Sequence, residues 1–298
     1  MGPTASGKTQ LAVELAKRFP VEIISVDSAM VYREMDIGTA KPSADILKIA
    51  PHRLIDICDP ADAYSVARFR TDALREIDQV IKQNKIPLLV GGTMLYFRIL
   101  QKGLNDLPVA NASVRLALQE QADQIGWPAL HDKLLQIDVT AANRIHPHDS
   151  QRIQRALEVY EVTGKTMTEW QEQPITETLP YKMRTIILSP ADRSVLHERI
   201  EQRFNEMLEK GFVAEVKKLF ERGDLSLQHP SMRSVGYRQV WEHLLGKLNA
   251  SEMREQGIIA TRQFAKRQLT WLRAWEDAQW VDSLRKDVLD EAIRILPF

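Results

Sequence analysis

The chain has 298 residues, enough to bury one large core or two smaller ones, and its 44% hydrophobic and 27% charged content is ordinary for a globular protein. No apolar run approaches the roughly 20 residues of a membrane span, no secretory leader is expected, and the single Cys58 excludes an internal disulfide and fits a reducing cytoplasm. Forty basic and 40 acidic residues cancel, which argues against a nucleic-acid partner only until their distribution is considered. Arg262 to Arg273 (RQFAKRQLTWLR) carries four positive charges and no acid, and Arg144 to Arg155 is basic apart from Asp149.

In chain order, the first feature is Gly2-Pro3-Thr4-Ala5-Ser6-Gly7-Lys8-Thr9, a complete G-x-x-x-x-G-K-[ST] loop. Its glycines let backbone N–H groups turn inward onto an anion, and the helix behind it adds a positive dipole end. Lys8 can reach the outer phosphates and the Thr9 hydroxyl can ligate Mg²⁺, so a diphosphate or triphosphate is the expected ligand. Such loops normally follow a buried strand, and only Met1 precedes this one. Either the sheet lacks that strand or the sequence is a late-starting version.

Residues 21–26 (VEIISV) read as a buried parallel strand ending in Asp27-Ser28. Residues 65–84 have helical spacing with Ser65 as N-cap, 86–90 (IPLLV) read as a second strand broken by Gly91-Gly92-Thr93, and a helix follows through Leu100. Alternation of this kind predicts an α/β core with a parallel sheet, here 1–110. From 111 to 179 the pattern is helical, with breaks at Gly126-Trp127-Pro128 and His146-Pro147-His148 and a polar linker over 171–180, which predicts an all-helical insertion domain. The core resumes over 180–298 with a strand at 184–190, a helix capped by Asp192 and running to Lys210, further helices from Gly211, and a last short strand at 279–281.

Strand ends at this edge of an α/β sheet face the ligand crevice. Asp27 is therefore expected beside the phosphates as metal ligand or general base, the plain alternative being a carboxylate that only caps the following turn. The Gly91-Gly92-Thr93 turn permits close ligand approach and offers a hydroxyl. His146 and His148 flank a proline in a loop and read as ordinary surface residues rather than a metal pair.

Together, GPTASGKT at 2–9, DSAMVY at 27–32, MDIGTAKP at 35–42, GGTMLY at 91–96, SVGYRQ at 234–239 and KRQLTWLR at 266–273 closely resemble the bacterial tRNA dimethylallyltransferases, in order and spacing along nearly the whole chain. The resemblance implies transfer of a dimethylallyl group from dimethylallyl diphosphate to N6 of the adenosine 3′ of the anticodon (tRNA position 37), in tRNAs reading U-initial codons. It implies that the loop, Lys8 and Mg²⁺ on Thr9 grip the diphosphate and that Asp27 takes the amine proton. Thr93 would lie near the amine and the leaving group, and Arg203 would be a second cation on the diphosphate. It places contacts to the anticodon stem-loop at Asp27, Ser28, Ala29, Met30 and Thr93, at Arg115, and at Gln151, Arg152, Ile153, Gln154 and Arg155. Further contacts are implied at Arg233, Ser234, Val235, Gly236, Tyr237 and Arg238, and at Lys266, Arg267, Gln268, Leu269, Thr270, Trp271, Leu272 and Arg273. A monomeric cytoplasmic enzyme is the expectation. Met30 departs from the glutamine many relatives carry, and no Cys/His finger follows the core. The rivals are a small-molecule or nucleotide kinase, a prenyltransferase of free adenine nucleotides, and a non-catalytic RNA-binding module. The last would leave the intact loop and Asp27 without purpose.

Overall fold

A computed structural model describes residues 1–175 and 178–296. The chain forms two compact units, one of Met1–Gln101 with Pro180–Phe298 and one of Lys102–Leu179. The insertion expected over 111–179 falls within the second unit.

The first unit opens with the phosphate loop and α1 (Lys8–Arg18), then β1 (Val21–Val26), α2 (Ala44–Ile49), β2 (His52–Arg53), α3 (Val66–Lys82), β3 (Ile86–Gly91) and α4 (Met94–Lys102). The largely apolar β1 pairs in parallel with β2 on one side and β3 on the other, and five of its six residues are buried. At the sheet's upper end, a Cβ on Gly91 would lie 1.9 Å from the Val26 carbonyl oxygen, so only glycine lets the two strand ends run this close. Ser65 caps α3 by accepting from the Arg68 N–H at 3.1 Å. β2 and α2, at two and six residues, are too short for periodicity to reveal.

The second unit holds α5 (Ala112–Ile125), α6 (Trp127–Ile137), α7 (Val139–Arg144), α8 (Ser150–Thr163) and α9 (Met167–Glu172), packed around Leu118, Leu130, Leu134, Ile153 and Leu157. Gly126, at φ +83°, ends α5 and starts α6, whose first turn carries Pro128. An unanticipated break falls at Asp138, which caps α7 by accepting from the Ala141 N–H at 2.9 Å. The polar stretch read as a linker begins inside α9, which a Thr166/Glu169 capping box starts; Thr176 and Glu177 of that stretch lie outside the described residues.

The chain then returns with β4 (Thr185–Ser189), α10 (Arg193–Glu209), α11 (Phe212–Glu221), α12 (Tyr237–Leu244), α13 (Ala250–Arg273), β5 (Ala278–Asp282) and α14 (Val288–Ile295). Asp192 caps α10 as expected, accepting from the Ser194 N–H at 2.7 Å. β4 and β5 form a separate parallel pair. Met1 lies beside β4 in parallel register: its ammonium donates to the Ile186 carbonyl at 2.7 Å and its own carbonyl accepts from the Leu188 N–H at 2.9 Å. Burial, with Lys8 nearby, pushes that ammonium down to about 5. The phosphate loop is thus joined to the β4 side through residue 1. Among the described residues, no helix is long and apolar enough to cross a membrane.

Candidate active site

The loop of residues 2–9 turns through two left-handed residues, Ala5 at φ +61° and Gly7 at φ +90°. Glycine occupies the more extreme of the two at no steric cost, while Ala5 carries strain of roughly 1–2 kcal/mol. Left-handed residues of this kind curl successive N–H groups onto one concave face, an anion-binding nest, and Gly7 is followed directly by the first turn of α1. Lys8 Nζ donates across the loop to the Pro3 carbonyl at 3.2 Å. Burial, reinforced by the Arg203 charge and opposed by Asp27, lowers the Lys8 ammonium from its ordinary 10.5 to about 8.

The loop faces a cavity of about 380 Å³. Thr4, Ala5, Lys8 and Thr9 line it from the loop, Asp27, Ser28, Ala29 and Met30 from the end of β1, Thr93 from the end of β3, and Arg203 from α10. Arg233 to Tyr237 and Gln268 close it from the C-terminal half. Gly2, Pro3 and Ser6 are buried behind the loop and Gly7 is exposed, none of them lining this cavity. Among the described residues, no group of three or more His, Cys, Asp or Glu could hold a metal. The oxygen donors on the cavity wall, the Thr9 hydroxyl and the Asp27 carboxylate, suit Mg²⁺, which takes few protein ligands and completes its shell with phosphate oxygens and water.

Asp27 has a double arrangement. Its Oδ1 accepts from the backbone N–H groups of Ala29 and Met30 at 2.9 and 3.2 Å, capping the turn after β1. Its other carboxylate oxygen is left for a ligand. Thr93 Oγ1 accepts from the Ser28 N–H at 3.0 Å and donates to the Ser28 hydroxyl at 3.3 Å, so the ends of β1 and β3 are locked side by side. Arg203 is partly buried and donates to the Thr39 carbonyl at 3.3 Å; burial weighs against its charge, with Asp27 and Glu206 opposing.

Gln268 was expected on resemblance to face RNA, yet its side chain is only 4% exposed. Its Oε1 accepts from the Thr4 N–H at 2.9 Å and its Nε2 donates to the Gly92 carbonyl at 2.7 Å, clamping the phosphate loop to the Gly-Gly-Thr turn. Ile153, Tyr237, Leu269 and Leu272 are likewise buried, so contacts around them fall to exposed neighbours. Lys266, Arg267, Thr270, Trp271 and Arg273 are exposed along α13, and Arg98 stacks over the Trp271 ring at 5.7 Å. Arg233 and Arg238 are exposed, the latter paired with Glu242.

In the helical unit, Arg115 and Arg155 are held by the fully buried Glu158 carboxylate, Arg115 with two bonds of 2.9 and 3.1 Å and Arg155 with one of 2.8 Å. Burial opposes the Glu158 charge, but these bonds and the Asn111 N–H outweigh it and hold the carboxyl below its usual range. Gln151 and Arg152 are exposed, while Gln154 donates to the Arg115 carbonyl at 3.1 Å. The rings of His146 and His148 lie 5.5 Å apart in their loop.

Sequence reasoning had no signal for the apolar residues that back the cavity: Tyr32, Tyr64, Ile200, Phe204, Met207, Phe212 and Phe264, of which only Met207 and Phe264 are more than slightly exposed. Their spacing marks them as core, and only the fold assembles them around one cavity.

A family model described as IPP transferase matches residues 30–275, and one described as isopentenyl transferase matches residues 1–56. The full-length tRNA isopentenylpyrophosphate transferase of Bacillus halodurans is 38% identical, with 99% of this chain and 93% of that one covered and a TM-score of 0.71. The tRNA Δ2-isopentenylpyrophosphate transferase of Staphylococcus epidermidis is 33% identical over 99% and 96% of the two chains, at a TM-score of 0.70. A eukaryotic dimethylallyltransferase acting on tRNA is 28% identical over 99% of this chain and 76% of that one, at a TM-score of 0.81. With five-sixths of its length matched and the phosphate loop, Asp27 and Thr93 gathered on one cavity, the chain belongs to the IPP transferase family.

Proposed function

We propose that the protein transfers a dimethylallyl group from dimethylallyl diphosphate to the N6 amine of the adenosine 3′ of the anticodon in tRNA. The observation that carries this reading is one cavity with a phosphate nest and two cations at one side, a free carboxylate oxygen at a strand end, and an apolar aromatic wall. Membership of the IPP transferase family favours this reading over a kinase, and the apolar side chains beside the loop suit an isoprenoid chain.

The loop N–H groups and Lys8 hold the diphosphate, with Arg203 adding a second positive charge. Thr9 and the phosphate oxygens would hold Mg²⁺, which when bound neutralises charge on the leaving group. The C–O bond of the donor breaks with its electron pair leaving on the diphosphate, and the N6–C bond forms. The Asp27 oxygen not used in the turn accepts the N6 proton. Thr93, fixed to Ser28, positions the amine. An aromatic amine is a weak nucleophile, so alignment and leaving-group stabilisation contribute more than the base. The adenosine must leave the anticodon-loop stack, which costs a few kcal/mol, offset by contacts to exposed cations such as those of α13. We place the enzyme in the cytoplasm as a monomer.

Two results are expected at the level of binding. Because burial lowers the Lys8 ammonium to about 8 and it must be charged to hold the diphosphate, donor affinity should be full only well below pH 8. Above that pH it should fall with a limiting slope of about tenfold per unit; the donor's own last ionisation lies lower, near 6. Calorimetric titration of dimethylallyl diphosphate from pH 7 to 9.5 checks this, and a flat profile would remove Lys8 from the contact. Lys266→Ala and Arg267→Ala should each weaken tRNA binding uniformly across sequences and reduce the salt slope by about one. Unchanged slopes in filter binding would mean that RNA lies on another face. The reaction is tested with donor labelled in the prenyl group, offered unmodified tRNA, free AMP, and a tRNA with guanosine at the target position. Label on AMP, or on the substituted tRNA as strongly as on the natural one, would overturn the acceptor.

A further inference from the structure

Loop 35–39, between β1 and α2, supplies Gly38 and Thr39 to the cavity wall. Three of its backbone N–H groups, from Asp36, Ile37 and Gly38, converge on the carboxylate of Glu215 in the first turn of α11, at 2.9, 2.7 and 3.1 Å. The buried Tyr237 hydroxyl donates to the same carboxylate at 2.6 Å. Four donors meet on one carboxylate, three of them from a segment nearly 180 residues away in sequence; that is more than is needed to anchor a surface turn, and each bond to a charged acceptor is stronger than a neutral one. The loop is held from its other side by Lys41, whose ammonium donates to the Tyr32 carbonyl at 2.9 Å and pairs with Asp36 and Asp56. Within the loop, the Thr39 hydroxyl donates back to the Met35 carbonyl at 2.7 Å, fixing the peptide whose carbonyl receives Arg203.

We propose that Glu215 is a positioning residue for diphosphate departure: by pinning loop 35–39 it sets the Thr39 carbonyl, and that carbonyl aims the Arg203 guanidinium at the leaving group. The proposal rests on the reading of Arg203 as a diphosphate contact. Glu215 itself does not line the cavity, so it acts through the loop and not on substrate. Without the carboxylate, three N–H groups lose their acceptor, the loop is free to rotate, and Arg203 loses the fixed Thr39 carbonyl that orients it. An anchor with a purely structural role would lower stability without singling out the diphosphate.

The test is a double-mutant cycle on donor binding. Dimethylallyl diphosphate is titrated into wild-type, Glu215→Ala, Arg203→Ala and the double variant, with tRNA affinity and thermal midpoint measured on each. Glu215→Ala and Arg203→Ala should each weaken donor binding about tenfold, as expected for one misplaced charge-assisted bond. The double variant should be no weaker than Arg203→Ala, since both remove the same contact. In turnover the loss should appear as a higher donor KM with tRNA affinity unchanged. Multiplying losses in the double variant, or donor binding unchanged by Glu215→Ala, would overturn the proposal. Should Glu215→Ala not fold, Tyr237→Phe removes one of the four bonds. It should weaken donor binding about threefold, an effect absent in the Arg203→Ala background; an equal loss in both backgrounds would overturn the proposal. The outcomes separate the two readings: a wild-type protein that binds donor but modifies no tRNA refutes the proposed function while the binding cycle still decides Glu215. Donor binding unchanged by Arg203→Ala refutes the proposal itself.

Discussion

Asp27→Asn is expected to lower kcat for prenyl transfer by about 10²–10⁴-fold, the range for loss of a positioned base, while tRNA and donor affinities change less than threefold. The choice of asparagine matters because Asp27 does two things. Its Oδ1 accepts from the Ala29 and Met30 N–H groups, and an asparagine carbonyl oxygen can keep both bonds. What is lost is the carboxylate charge, felt by Lys8 and Arg203, and with it the proton-accepting function of the other oxygen. Asp27→Ala removes the cap as well and is expected to add a loss of about 0.5–2 kcal/mol in stability, comparable with losing a helix cap. Single-turnover rates with saturating donor and tRNA check the first statement, and thermal unfolding the second. If asparagine and alanine were equally impaired in tRNA binding, Asp27 would be a structural cap and the base would have to be sought elsewhere.

Gln268→Leu should produce the second large effect, and on stability as well as turnover. The side chain is buried and makes one bond to each of two loops. Leucine fills similar space but leaves the Thr4 N–H and the Gly92 carbonyl without their partner, at about 1–3 kcal/mol for each group that stays buried. The expected sum of about 2–6 kcal/mol would lower the thermal midpoint by several degrees for a protein of this size. Turnover should fall further than stability alone explains, because the clamp sets the separation of the phosphate loop, proposed to hold the diphosphate, from the Gly-Gly-Thr turn, whose Thr93 is proposed to position the acceptor. Bound donor should restore part of the midpoint. A variant of normal stability with only weakened tRNA binding would mean that Gln268 faces RNA.

The parts of the molecule readable in advance were those written in short-range chemistry. VEIISV and IPLLV are short, mainly apolar runs rich in branched residues, and both are found as the strands β1 and β3; β1 is buried as expected, whereas Ile86 to Val90 of β3, also read as buried, are only partly so. Ser65 and Asp192 announced their helices by capping chemistry that acts within three residues. The phosphate loop, Asp27 and Thr93 were legible because strand ends must face the crevice, and they line one cavity. What was hidden depends on partners far along the chain. Gln268 sits in a basic run and looks like part of its charged face, but its partners are 264 and 176 residues away. Glu215 is one acid among many on a helix, and its role comes from loop N–H groups and Tyr237. Arg115 and Arg155 read as free cations for RNA, whereas the buried Glu158 already holds them; removing Glu158 would leave two paired arginines without their acceptor. The division of the strands into a three-stranded sheet and a separate pair was equally invisible, since each strand's own pattern is satisfied either way.

The measurement that bears most directly on the central claim is nucleoside mass analysis of unmodified tRNA after incubation with the protein, Mg²⁺ and dimethylallyl diphosphate, followed by nuclease mapping of the product. The account predicts one dimethylallyl group per tRNA, on N6 of the adenosine 3′ of the anticodon, with inorganic diphosphate released in equal amount. Phosphate transferred from ATP to a small molecule with no prenylated nucleoside, or a prenyl group on free AMP but not on tRNA, would contradict it.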